Sequence, residues 1–164
     1  MNTDVKRAVF QAIVGSEDFV QAFESLSRLG LKKQQEREIV KVLIHCCVNE
    51  RQRFNPFYGL LASRLCRSNP QSFRYSFKYS LWDYLKALGN YDVRQIANLA
   101  KLYGVLVGAH DVPLHFLKVL VFGELAQPQQ LFLYVLFDYV FEHNSREQLR
   151  VVFKKGLKAS QNAK

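Results

Sequence analysis

Helix punctuation recurs from one end of the chain to the other, and it limits the available folds more than any other feature. A capping residue with Pro or an acid close behind appears at Thr3-Asp4, Ser16-Glu17-Asp18, Asn55-Pro56, Asn69-Pro70, Asp92, Asp111 to Pro113, Gln127-Pro128 and Ser145. Side chains of this kind accept hydrogen bonds from the free N–H groups of a first helical turn, and Pro fits there because its missing N–H would have no partner. Asp92 and Ser145 are followed three residues later by Gln95 and Gln148, the spacing of a reciprocal capping box. Gly15, Gly30, Gly89 and Gly108 mark stops.

Between these marks the apolar residues keep helical spacing: Phe19, Phe23, Leu26 and Leu29; Phe57, Leu60, Leu61 and Leu65; Phe73, Phe77, Leu81, Tyr84 and Leu88; Val93, Ile96, Ala97, Ala100, Tyr103 and Val107. No run alternates as a half-buried strand would. Val40 to Val48 and Leu131 to Tyr139 are apolar nearly all round, which predicts two central helices covered by their neighbours. Starts near residues 16, 55, 92 and 128 lie 39, 37 and 36 residues apart. That interval approaches the two-helix unit of HEAT-like solenoids, about 40–47 residues. The expectation is an all-α, HEAT-like stack of antiparallel helix pairs with about eight helices, one domain over residues 1–158 and a frayed basic tail over 159–164. Phe23 is expected in its core.

The 164 residues include 13 Phe, 8 Tyr and 1 Trp, enough bulk to pack a single core without disulfide staples. Cys46 and Cys47 are helical neighbours pointing about 100° apart and Cys66 stands alone, a spacing that fits reduced thiols in small apolar positions better than a disulfide framework or a zinc site. Thr3, Asp4, Lys6 and Arg7 interrupt the N-terminus, so no signal peptide is expected. The longest apolar run, Leu131 to Phe141, falls well short of the ~20 residues that span a bilayer and contains Asp138.

Nothing in the chain reads as a catalytic constellation, a metal site or a cofactor loop. His45, His110, His115 and His143 are scattered, and His45 diverges from Cys46 by the same 100°, which denies them a shared hydrogen bond. Phosphate-binding glycine runs and nucleophile elbows are absent. Glu36 and Glu38, two apart, fall on different sides of a helix, and Glu36 is placed to pair with Lys32 or Lys33.

The formal charge is +9, with 23 Lys and Arg against 14 Asp and Glu, a balance that favours polyanionic company. Arg64 and Arg67 are one turn apart, Arg74 and Lys78 are an i,i+4 pair on the next helix, and Arg51 and Arg53 sit in the loop leading in. If the helices pack antiparallel, these residues form one strip that contacts RNA phosphates, with Tyr75, Phe77 and Tyr79 interleaved as stacking planes.

The segments TDVKRAVF, SEDFVQAFESL, LGLKKQQEREI, HCCVNE and NPFYGLLASRLC, in this order and spacing, resemble the MI (M-A-three) domain, a helical module of translation initiation factor four G. The likeness is strongest from Asp4 to Cys66 and points to the nucleolar, ribosome-biogenesis branch, whose members also carry a middle domain of that factor. It implies a scaffold that docks a DEAD-box RNA helicase of the initiation factor four A kind, or the middle domain of its own full-length chain, during small-subunit ribosomal RNA processing in the nucleolus. Pre-ribosomal RNA is a further implied partner, and no cofactor or membrane is implied. The MI domain of a pre-messenger-RNA splicing factor shares the CC and FYGLLA-like signatures and is an alternative relative. In the tumour-suppressor branch, acidic groups between the fifth and sixth helices touch the helicase, which maps onto Asp92 of GNYDVRQ; the proline that follows there is missing, and Arg94 stands one place further on. The loop from Arg51 to Phe54 is the second candidate for protein contact.

Overall fold

A computed structural model describes the backbone of residues 3–162 and the side chains of residues 3–158. The described residues form eight α-helices: α1 (Thr3–Val14), α2 (Phe19–Arg28), α3 (Glu36–Val48), α4 (Pro56–Ser68), α5 (Pro70–Lys86), α6 (Val93–Gly108), α7 (Gln127–His143) and α8 (Arg146–Asn162). Three short 3-10 segments join them at Leu88–Asn90, Leu114–Val119 and Phe122–Glu124, and no strand occurs among the described residues. The expected all-α stack is therefore the observed fold. No described helix is long and apolar enough to cross a membrane. Of the expected tail, 159–162 continue α8 as backbone, while their side chains and residues 163–164 lie outside the described residues.

Most of the predicted caps do what their chemistry dictates. Asn55 accepts from the Phe57 N–H and Asn69 from the Ser72 N–H, each with Pro at the following position. Asp92 and Gln95 close a full capping box at α6, as do Ser145 and Gln148 at α8. At α2 the cap is Asp18, which accepts from the Gln21 N–H, while the Ser16 hydroxyl turns back to the Ala12 carbonyl.

The stack is built by alternate helices: α1 packs on α3, α2 on α4, α3 on α5 and α4 on α6. Phe77, Tyr103, Phe116 and Phe132 are fully buried at its centre, and the Tyr103 hydroxyl donates to the Phe77 carbonyl. The central helices differ from those expected. α3 is buried as predicted, but α7 buries only Phe132, Leu133, Leu136 and Val140 and leaves Tyr134 71% exposed. The most enclosed helix is α6, covered by α3, α4, α7 and α8. Its sequence hides this because Ala100 and Gly104 weaken the apolar signal while allowing close approach. Leu60 and Val93, placed on apolar stripes by periodicity, are exposed at 47% and 68%.

The regular repeat ends after α6. The start expected at Asp111 to Pro113 yields a 3-10 segment instead of an α-helix. Asp111 is buried and accepts the Ser63 hydroxyl at 2.7 Å, so it holds α4 and does not cap. His110 adopts a left-handed φ of 62°, turning the chain between α6 and this bond. The start near 128 is therefore α7, which packs directly along α6.

Candidate binding surfaces

The loop between α3 and α4 is tied to the start of α6 by three side chains. Arg94 Nη1 donates to the Arg51 carbonyl at 2.8 Å, Gln95 Nε2 to Asn49 Oδ1 at 3.1 Å, and buried Asn98 Nδ2 to the Glu50 carbonyl at 3.4 Å. Asp92, Arg51 and Arg53 remain exposed on the ridge that results. The structure thus joins two candidates that are about forty residues apart in sequence. Arg94, the departure from the related branch, is one of the residues that joins them.

Phe54, at the end of this loop, is half-buried and packs edge-to-face on Tyr139 of α7, with centroids 5.9 Å apart. Tyr139 in turn stacks on His143 at 3.9 Å. Next to them runs a groove of about 290 Å³ lined by Arg53, Phe54, Lys101, Asp138, Glu142 and His143 among others. Sequence reasoning misses its α6 and α7 walls, because no local signal shows that α7 returns beside the α3–α4 loop.

The residues of the predicted basic strip each have different neighbours. The Arg64 guanidinium lies over the Phe23 ring at 4.3 Å, on the α2 side of α4, and Phe23 is half-buried beneath it. The charges of Arg67 and Arg74 act on buried Asp111 from the α4–α5 side. The Lys78 ammonium sits 4.8 Å from the Trp82 ring, which Lys118 also approaches at 5.8 Å. Glu36 does not pair with Lys32 or Lys33; its carboxylate takes the Ser72 hydroxyl of α5.

No described group of three or more His, Cys, Asp and Glu residues could hold a metal ion. All three thiols are free; burial pushes the Cys47 and Cys66 pKa values far above the ordinary range and raises that of Cys46 less. Such thiols stay protonated, and thiolates are the reactive form. His45 contacts Asn49 and not a cysteine.

A family model described as the MA3 domain matches residues 5–112, from α1 through α6 to the turn that buries Asp111. The chain belongs to the MA3 domain family. This MA3 domain is 41% identical over 155 residues to nucleolar MIF4G domain-containing protein 1 of Mus musculus, covering 94% of the chain and 18% of that protein. It is 37% identical to suppressor of glycerol defect protein 1 of Schizosaccharomyces pombe, covering 99% of the chain and 22% of the relative. Against pre-mRNA-splicing factor cwc22 of Emericella nidulans the figure is 26%, over 91% of the chain and 18% of the relative. The chain spans about a fifth of the length of these relatives. Their matches run past residue 112, so α7, which completes the groove beside Phe54, lies within the region shared with the first two relatives.

Proposed function

We propose that this MA3 domain is a non-catalytic docking module of a nuclear RNA-processing factor, and that it binds a DEAD-box RNA helicase of the initiation factor four A kind. The word nucleolar in the name of the mouse relative supports the nucleolus as its setting, and ribosomal RNA maturation is the process proposed for it there. The observation that carries the reading is the Arg94–Arg51 bond: it fixes Asp92 beside Arg51 and Arg53 on one pre-formed ridge bearing both charge signs. A ridge held by side-chain bonds loses little conformational entropy when a partner lands on it, and paired charges of both signs select orientation. The middle domain of the full-length protein is the competing partner for the same ridge.

Calorimetric titration of the 164-residue chain with such a helicase tests this. Asp92→Lys and Arg53→Glu should each weaken binding about tenfold, ~1.4 kcal/mol, whereas Arg64→Glu should not. Asp92→Asn keeps the cap and removes the charge, so it isolates the contact from helix stability. Wild-type affinity in all the ridge variants would remove the helicase from this surface. Binding to the middle domain alone would reassign the ridge to the chain's own neighbour. The domain should hydrolyse no ATP by itself, and the full-length protein should image in the nucleolus.

A further inference from the structure

A groove of about 900 Å³ lies between the start of α3 and the length of α5 and shares no residue with the ridge. One wall is cationic: Lys33 in the turn before α3, then Arg37 and Lys41, each four residues from the last and all exposed. Four residues advance a helix by about 6 Å, so Arg37 and Lys41 stand in line along one face, with Lys33 leading into it. The other wall comes from α5 and presents Ser76, Ser80 and two exposed tyrosines, Tyr75 and Tyr79, at 58% and 53%. Their rings are stacked, 6.1 Å between centroids and 18° between planes, and Trp82 continues the row edge-on to Tyr79 at 5.3 Å. Acids are few. Asp83 stands among the lining residues, Glu38 is buried and holds Lys41 at 3.6 Å, and Glu36 is occupied by Ser72.

A contiguous row of exposed aromatic rings marks an interaction surface, and this row has a line of cations facing it across the groove. We infer that the α3–α5 groove binds single-stranded RNA, with Lys33, Arg37 and Lys41 on the phosphates and Tyr75 and Tyr79 stacking on bases. A polar, cation-lined channel with a stacking platform is the arrangement that holds a single strand without reading its sequence. A duplex would keep its bases from the tyrosines. An acidic peptide would satisfy the cations and leave the rings unused.

Anisotropy titration of the 164-residue chain with a fluorescein-labelled twelve-nucleotide uridine oligomer tests the assignment. Lys33→Glu with Arg37→Glu should lower the slope of log K against log salt by about 0.7 for each phosphate that the variant no longer neutralises. Tyr75→Ala with Tyr79→Ala should weaken binding about tenfold or more, and the Tyr→Phe pair should restore it because stacking needs the ring alone. Arg64→Glu should leave affinity unchanged. Failure of the oligomer to bind, equal competition by polyglutamate, or alanine variants that bind as wild type does would each overturn the inference. So would a loss on Arg64→Glu equal to that at Lys33 and Arg37.

Discussion

Arg94 Nη1 rests 2.8 Å from the carbonyl oxygen of Arg51, so the first turn of α6 holds the loop that leaves α3. A guanidinium bonding a neutral carbonyl is stronger than an amide pair, but this one is open to water. Removing it with Arg94→Ala should cost about 1 kcal/mol. The more telling consequence is local: amide hydrogen exchange over residues 51–54 should speed up while that of α6 itself stays slow. Uniform acceleration across the domain would mean that Arg94 supports global packing and not the ridge.

Helix α6 is enclosed because two glycines let its neighbours come close. A Cβ on Gly59 of α4 would lie 2.8 Å from Val105 Cγ2 and 3.1 Å from its Cβ, and one on Gly104 would lie 2.7 Å from the Tyr139 ring. Alanine is the better helix former by about 1 kcal/mol, which alone would predict a gain. Overpacking in a filled core costs typically about 1–3 kcal/mol and should win at Gly59, where the obstacle is a branched side chain fixed near the backbone. Gly59→Ala should therefore lower the urea midpoint without changing the slope. Gly104→Ala should in addition displace Tyr139 and so loosen Phe54, which chemical shifts in residues 53–57 would register.

The expected aromatic core residue Phe23 is half-buried, whereas Phe77 is fully enclosed. Phe77→Ala should cost about 3–5 kcal/mol, the range for emptying an aromatic core site. Phe23→Ala should cost clearly less, and part of its loss should depend on the exposed Arg64, which contributes ~0.5–1 kcal/mol as a cation over this half-buried ring. A double-mutant cycle of Phe23→Leu and Arg64→Met measures that share. Equal losses at Phe23 and Phe77 would show that the α2–α4 packing is tighter than the exposure implies.

What the sequence discloses divides along physical lines. Caps are local chemistry, and Asn55, Asn69, Asp92 and Ser145 announce their helices through side chains that can satisfy only nearby N–H groups. Periodicity identifies faces, which is why the buried Phe73, Phe77 and Leu81 stripe of α5 is legible, and a run apolar nearly all round identifies α3. Periodicity cannot say which amphipathic helix ends up innermost, and α6 is innermost because of small residues that it undervalues. The Asp111 signal misleads for a similar reason: an acid before Pro is a cap by pattern, while its actual partner is Ser63, 48 residues away. Asp92 and the Arg51 loop are both legible as candidates, but only tertiary structure joins them. The Lys33, Arg37, Lys41 spacing is present in the sequence as a helical stripe, and Tyr75 and Tyr79 are visible as stacking groups; their meeting across one groove is not.

Asp111 makes stability depend on pH in a direction opposite to that of most carboxylates. It is buried, and loss of water raises its pKa above the ordinary carboxylate value, although the Ser63 hydroxyl, Arg67 and Arg74 all pull the other way. A raised folded pKa means that the folded state binds the proton more tightly than the unfolded chain does. The associated stability is complete below the unfolded pKa of about 3.9 and is lost as pH rises through the folded value. Asp111→Asn keeps an acceptor for Ser63 and carries no charge to bury. The stability of the Asn variant relative to wild type should therefore increase across that window and level off above it, as followed by urea midpoints from pH 3.5 to 8 (about the span these groups cover). Using the difference between the two proteins cancels the slopes of all other carboxylates. A difference that stays constant with pH would show that Arg67 and Arg74 compensate the burial fully, and one that shrinks as pH rises would mean that they hold Asp111 charged as an ion-paired strut between α4 and α5.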